Sequence, residues 1–129
     1  MVNLKKRILI VEDEIELVEM YKEKLKKEGF RVLTVNDGKR ALVRIKQGAD
    51  LILLDILMPG MNGFEVLKKI KSDSETNDIP VIVLTNIGSE SADKDKNLAL
   101  SLGAADYMVK SLNTPDSVVK KINLVLNNS

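Results

Sequence analysis

The sequence predicts an α/β fold, a doubly wound (βα)5 sandwich on a five-stranded parallel sheet of order 2-1-3-4-5. Three observations lead there. Five short β-type runs alternate with five helix-type segments at even spacing. The strands are near-continuous aliphatic runs, the pattern of strands covered on both faces. Strict βαβ alternation with right-handed crossovers then lays helices over both sides of one sheet. The strand order is taken over from the common five-stranded arrangement of this class rather than read from the residues.

Each element has its own signal. The first strand is Arg7–Val11 (RILIV). Glu14–Glu28 follows as a helix, with Ile15, Leu17, Val18, Tyr21 and Leu25 at helical spacing and Gly29 as its stop. Arg31–Val35 (RVLTV) is the second strand. Gly38–Lys46 is the second helix, carrying Ala41, Leu42 and Ile45 and ending at Gly48. The third strand is Leu51–Asp55 (LILLD), and Asn62 caps a helix with Phe64, Val66, Leu67 and Ile70 on its apolar side. Val81–Thr85 (VIVLT) is the fourth strand. Ser89–Leu102 is a more polar helix with Ala92, Leu98, Ala99 and Leu102 on one side and Gly103 at its end. Asp106–Val109 (DYMV) is the fifth strand. The last helix opens with Thr114 as cap, Pro115 as first helical residue and Asp116 in the first turn. Its stripe is Val118, Ile122, Val125 and Leu126, and Asn127, Asn128 and Ser129 read as a frayed tail.

Composition narrows the chemistry. The 129 residues read as one domain, residues 1–129, with no second module attached. A net charge of +1 gives no electrostatic case for a nucleic-acid partner, and Lys5-Lys6-Arg7 reads as a short solvated flank. No apolar run reaches membrane-span length and no signal-peptide pattern precedes the first strand. With no cysteine there is neither a disulfide framework nor a thiolate metal site, and a cytoplasmic location is expected. With no histidine there is no imidazole base, metal ligand or phosphohistidine. Carboxylates, hydroxyls, lysines and the backbone must do any chemistry.

In a parallel sheet the carboxyl ends of the strands share one edge, and ligands bind there. The first strand runs into Glu12-Asp13-Glu14, the third ends at Asp55, the fourth at Thr85, and the fifth leads into Lys110. Singly, each has a plain explanation. Asp55 is a turn residue, and Glu12-Asp13-Glu14 favours a helix start, the reading preferred for Glu14. Thr85 is a β-branched strand residue, and Lys110 is solvated surface. Their coincidence at one rim decides otherwise. Two unit charges ~4 Å apart repel by roughly 4 kcal/mol near a surface, and a hard divalent cation relieves that. Mg²⁺ takes oxygen ligands, typically one or two carboxylates plus a phosphate. Asp13 and Asp55, with Glu12 close by, supply them, while Lys110 and Thr85 suit phosphoryl oxygens. Attack by the Asp55 carboxylate on phosphorus is the natural reaction.

The stretches ILIVEDE (8–14), LLDILMPGMNGFEVL (53–67), PVIVLTN (80–86) and GAADYMVKS (103–111) resemble the receiver domain of two-component response regulators, over nearly the whole chain. The resemblance implies a flavodoxin-like fold with Asp55 as phosphoacceptor. It implies that Glu12 and Asp13 support Mg²⁺, with the main-chain carbonyl of Leu57 as a further ligand. Thr85 and Lys110 would contact the phosphoryl group, and Tyr107 would be the switch aromatic, packing inward once Asp55 is modified. The phosphoryl donor would be a sensor histidine kinase or a histidine phosphotransfer protein. A changed surface of the fourth helix, fifth strand and fifth helix would then be read by an effector protein or an output domain. A self-phosphorylating acceptor and slow self-phosphatase, rather than a turnover enzyme, is expected.

Three departures from the family pattern carry expectations. Ser111 follows Lys110 where the family usually has a proline, often cis; a non-proline cis bond costs roughly 3–4 kcal/mol, so the loop is trans or strained. Asn86 follows Thr85 where a small residue is usual, narrowing the way to Asp55. Leu57 and Ile87 are apolar at the positions that flank the attacking water in receivers, so self-dephosphorylation is expected to be slow. Other classes fit less well. A flavin carrier of the same fold needs a hydroxyl- and amide-rich loop after the first strand, where VEDEIEL is acidic. An aspartate-nucleophile phosphatase calls for a second acid where Leu57 stands. A docking module independent of phosphorylation would not need the full acidic and basic set.

Overall fold

The structure, a computed structural model, describes residues 5–58, 60–86 and 92–127. Pro59, Ile87 and the expected start of the fourth helix at Ser89 lie outside the described residues, as do Asn128 and Ser129.

Five parallel strands form one sheet in the order β2-β1-β3-β4-β5. They are β1 (Arg7–Val11), β2 (Arg31–Val35), β3 (Leu51–Leu54), β4 (Val81–Thr85) and β5 (Asp106–Val109). The helices are α1 (Ile15–Lys27), α2 (Gly38–Ile45), α3 (Gly63–Ser72), α4 (Ala92–Ser101) and α5 (Pro115–Asn127). This is the doubly wound, flavodoxin-like sandwich expected. Alternate strand residues point to opposite faces, so two cores form. Ile8, Ile10, Leu51, Leu53, Ile82, Leu84 and Met108 pack against Tyr21 and Leu25 of α1 and Val118, Val119 and Ile122 of α5. Leu9, Val11, Ile52, Leu54, Val81 and Val83 pack against Ala41, Ile45, Val66, Leu67, Ile70 and Ala99 from α2, α3 and α4. Leu51–Leu54 are all buried, at roughly 2 kcal/mol per side chain.

Helix starts follow the expected caps. Asn62 Oδ1 accepts from Glu65 N–H at 3.1 Å, and Thr114 Oγ1 accepts from Ser117 N–H at 3.1 Å. Three readings need correction. Ile15 is 78% exposed: as the first residue of α1 it sits at the sheet rim, ahead of the turns that reach the core. Leu98 is 43% exposed because Ala99 takes the buried position on α4. Asn127 is still helical. Glu14 stands at the N-cap of α1, where its side chain makes no capping hydrogen bond.

Two glycines in the turn after β3 are there for different reasons. Gly60 has φ 81°, a left-handed conformation. At Gly63 a Cβ would lie 2.6 Å from the Ile56 Cα and press on the Asp55 carbonyl. The chain therefore folds back tightly against Asp55, with Gly63 N–H donating to the Ile56 carbonyl at 2.9 Å.

Candidate functional site

The strand registers set the rim. Val11 pairs with Leu54, so Glu12 and Asp55 leave neighbouring strands side by side. Thr85 pairs with Val109, which puts Lys110 just beyond it. The last ladder bonds hold both acids down: Asp55 N–H donates to the Val11 carbonyl at 3.0 Å, and Glu12 N–H to that of Val35 at 3.1 Å. Glu12, Asp55 and Thr85 are buried, while Asp13 is exposed.

Carboxylate oxygens of Glu12, Asp13 and Asp55 lie within 4.8 Å of one another. One cation stands among the acids. The Lys110 ammonium donates to Glu12 Oε1 and lies 3.5 Å from Asp55 Oδ2 and 4.0 Å from Glu14 Oε1, with its side chain 8% exposed. Asp55 Oδ1 accepts from Leu57 N–H at 3.2 Å. Glu12 Oε2 accepts from the N–H groups of Asp13 and Glu14, at 3.0 and 3.3 Å. Despite these donors the Glu12 carboxyl is pushed up to about 7, chiefly by burial and further by Asp55, against the pull of Lys110. All-oxygen donors clustered this closely fit a hard divalent cation.

Leu57 is 59% exposed at the mouth of the site, and Asn86 is also exposed. Tyr107 is already inward in the unmodified chain. It is 6% exposed, and its buried hydroxyl has no hydrogen-bond partner among the described residues. Burial, and secondarily Asp95, raises its phenol above the usual value.

After Lys110 the loop takes the trans form, one of the two outcomes expected where the proline is missing. No cis peptide bond occurs among the described residues. Lys110–Leu112 forms a single 3₁₀ turn, closed by the Asn113 side-chain amide donating to the Val109 carbonyl at 2.9 Å. Ser117 Oγ–H in turn donates to Asn113 Oδ1 at 3.4 Å. Asn113 was not singled out in the sequence; its signal is an amide immediately before the Thr114-Pro115 helix start.

A parallel α/β sheet with buried acids, a hydroxyl and an enclosed lysine at its carboxyl edge is the architecture of a signalling module. The family model for the response regulator receiver domain matches residues 8–123, and the chain belongs to that family. It is 42% identical over 123 residues to the transcriptional regulatory protein CpxR of Klebsiella pneumoniae, covering 95% of this chain and 50% of that protein. It is 40% identical over 120 residues to the sensory transduction protein RegX3 of Mycolicibacterium smegmatis, covering 92% and 50%. The chain thus spans about half the length of these curated relatives. Among solved structures, the chemotaxis response regulator CheY4 of Vibrio cholerae superposes with a TM-score of 0.84 at 29% identity, covering 95% of this chain and 99% of that one. The BeF3-activated receiver domain of Klebsiella pneumoniae RstA gives 0.83 at 29% identity, covering 94% and 98%. No described helix is long and apolar enough to cross a membrane.

Proposed function

We propose that this receiver domain takes a phosphoryl group onto Asp55 and passes the change to its α4-β5-α5 surface. The convergence of Glu12, Asp13 and Asp55 within 4.8 Å, with Lys110 enclosed beside them, is the observation that carries the reading. An Asp55 carboxylate oxygen attacks phosphorus, the P–N bond of the donor phosphohistidine breaks, and the imidazole leaves with the electron pair and takes up a proton. The donor is a histidine kinase or histidine phosphotransfer protein, because this chain has no histidine of its own.

Glu12, Asp13, Asp55 and the Leu57 carbonyl would hold Mg²⁺, which supplies charge neutralisation for the phosphoryl oxygens. Lys110 lies 3.5 Å from the acceptor oxygen and is placed to follow the new charge. Thr85, buried at the end of β4, would supply a hydroxyl to the phosphoryl oxygens. Tyr107 couples the site to the surface. Its unpartnered hydroxyl makes the inward position costly, by about 1–3 kcal/mol, so a small charge change at the rim is enough to bias the equilibrium. The single domain acts through an effector protein or an output domain, in the cytoplasm.

Incubation with Mg²⁺ and a small phosphodonor, followed by intact mass, tests this. One phosphoryl gain is expected, absent in Asp55→Asn and in the presence of chelator. An unchanged wild-type mass, or an undiminished gain in Asp55→Asn, would overturn it.

A further inference from the structure

We propose that Glu14 is a positioning residue for Lys110, the carboxylate that receives its ammonium when a divalent cation occupies the rim. The inference rests on the reading of Glu12, Asp13 and Asp55 as the cation's ligands. Lys110 has three carboxylates around it: Glu12, Asp55 and, at 4.0 Å, Glu14. A divalent ion taking the first two both occupies their oxygens and repels the ammonium. Lys110 must then leave Glu12, and with its side chain 8% exposed it is drawn first to an acid already beside it.

Glu14 is the remaining acid within reach. It stands at the N-cap of α1 but makes no capping bond, so its carboxylate is not committed to the helix. Its backbone N–H donates to Glu12 Oε2, which ties its position to the very carboxylate that Lys110 vacates. Its side chain is 56% exposed, so it carries charge at little desolvation cost. A helix-start role alone would leave Glu14 indifferent to Lys110. An exchange partner makes the two energetically coupled.

Calorimetric titration of the metal-free chain with Mg²⁺ separates these. Glu14→Gln is expected to weaken Mg²⁺ binding about three-fold, the size of a half-exposed ion pair. In a Lys110→Met background the same substitution is expected to leave the affinity unchanged. An equal loss in both backgrounds would make Glu14 merely a nearby negative charge and overturn the proposal, as would no loss in the wild-type background. Absence of any Mg²⁺ binding by the wild-type chain would instead overturn the metal-site reading, and this inference with it.

Because Lys110→Met strips a close cation from buried acids, a second measurement avoids it. The Lys110 ε-methylene resonance is followed during the Mg²⁺ titration in wild type and Glu14→Gln. With Mg²⁺ bound, the two are expected to differ, the variant moving to the position of solvated lysines. Coincident end-points would overturn the exchange.

Discussion

Raising the pH from about 5 to about 7.5 should destabilise this protein in the absence of divalent metal, the reverse of the usual behaviour of a carboxylate-rich chain. The cause is Glu12, whose carboxyl is held at about 7 in the fold, chiefly by burial, against 4.5 for the free group. A folded-state value above the unfolded one means that the native chain holds the proton more tightly. The contribution is therefore complete below 4.5 and disappears as pH rises through 7. Across the window this amounts to about 2 kcal/mol, or a shift of about 1 M in the urea midpoint. The window is unusually clean. The chain has no histidine and no cysteine, and Asp50, Asp73 and Asp116 are all lowered, so they titrate beneath it. Urea titrations followed by far-UV circular dichroism give the profile. Saturating Mg²⁺ should reverse the slope, because the ion must displace the Glu12 proton and its stabilisation grows with pH. A flat metal-free profile, or the same slope in Glu12→Gln, would refute the reasoning.

Four further outcomes are expected. Tyr107→Phe should raise stability by about 1 kcal/mol in the same titration, since it removes a buried hydroxyl that has no partner. Leu57→Asn should shorten the lifetime of phosphorylated Asp55 about five- to ten-fold, the worth of one hydrogen bond orienting the attacking water, read from the decay of the phosphorylated mass. Asn113→Ala should cost about 1 kcal/mol of stability and slow phosphorylation, because the turn that fixes Lys110 loses its bond to the Val109 carbonyl. Gly63→Ala should destabilise by about 3 kcal/mol through overlap with the Ile56 backbone.

The strands were legible because helices cover both faces of the sheet, so the strand sequences are near-continuous aliphatic runs, most completely in β1, β3 and β4, with glycines, prolines and acids between them. Four of the five strands have the bounds expected, and β3 stops one residue early because Asp55 leaves the ladder after donating to Val11. Ile15 was misread because periodicity reports a stripe but not where along it the helix first meets the sheet. The rim was legible for a topological reason: parallel strands deliver their following residues to one edge whatever their separation in sequence. Who pairs with whom there was not. Glu12 and Lys110 are 98 positions apart, and their bond, like the turn closed by Asn113, depends on side-chain directions that a linear pattern does not encode.

That pairing explains how the rim can stay folded without its cation. Among the described residues, Glu12, Glu14 and Asp55 share the Lys110 ammonium, and a buried ion pair of this kind is weak evidence for stability. The fold absorbs the cost elsewhere, in the buried aliphatics of β1, β3 and β4. The rim itself relieves part of the repulsion by keeping a proton on Glu12 and Lys110 between Glu12 and Asp55. Both devices are reversible. Under the function proposed above, a divalent ion would displace the proton and the ammonium alike, and a phosphoryl group on Asp55 would give the ammonium new oxygens to follow. A site filled by permanent apolar packing would be more stable and would have nothing to exchange. Its marginal electrostatics are what make it responsive.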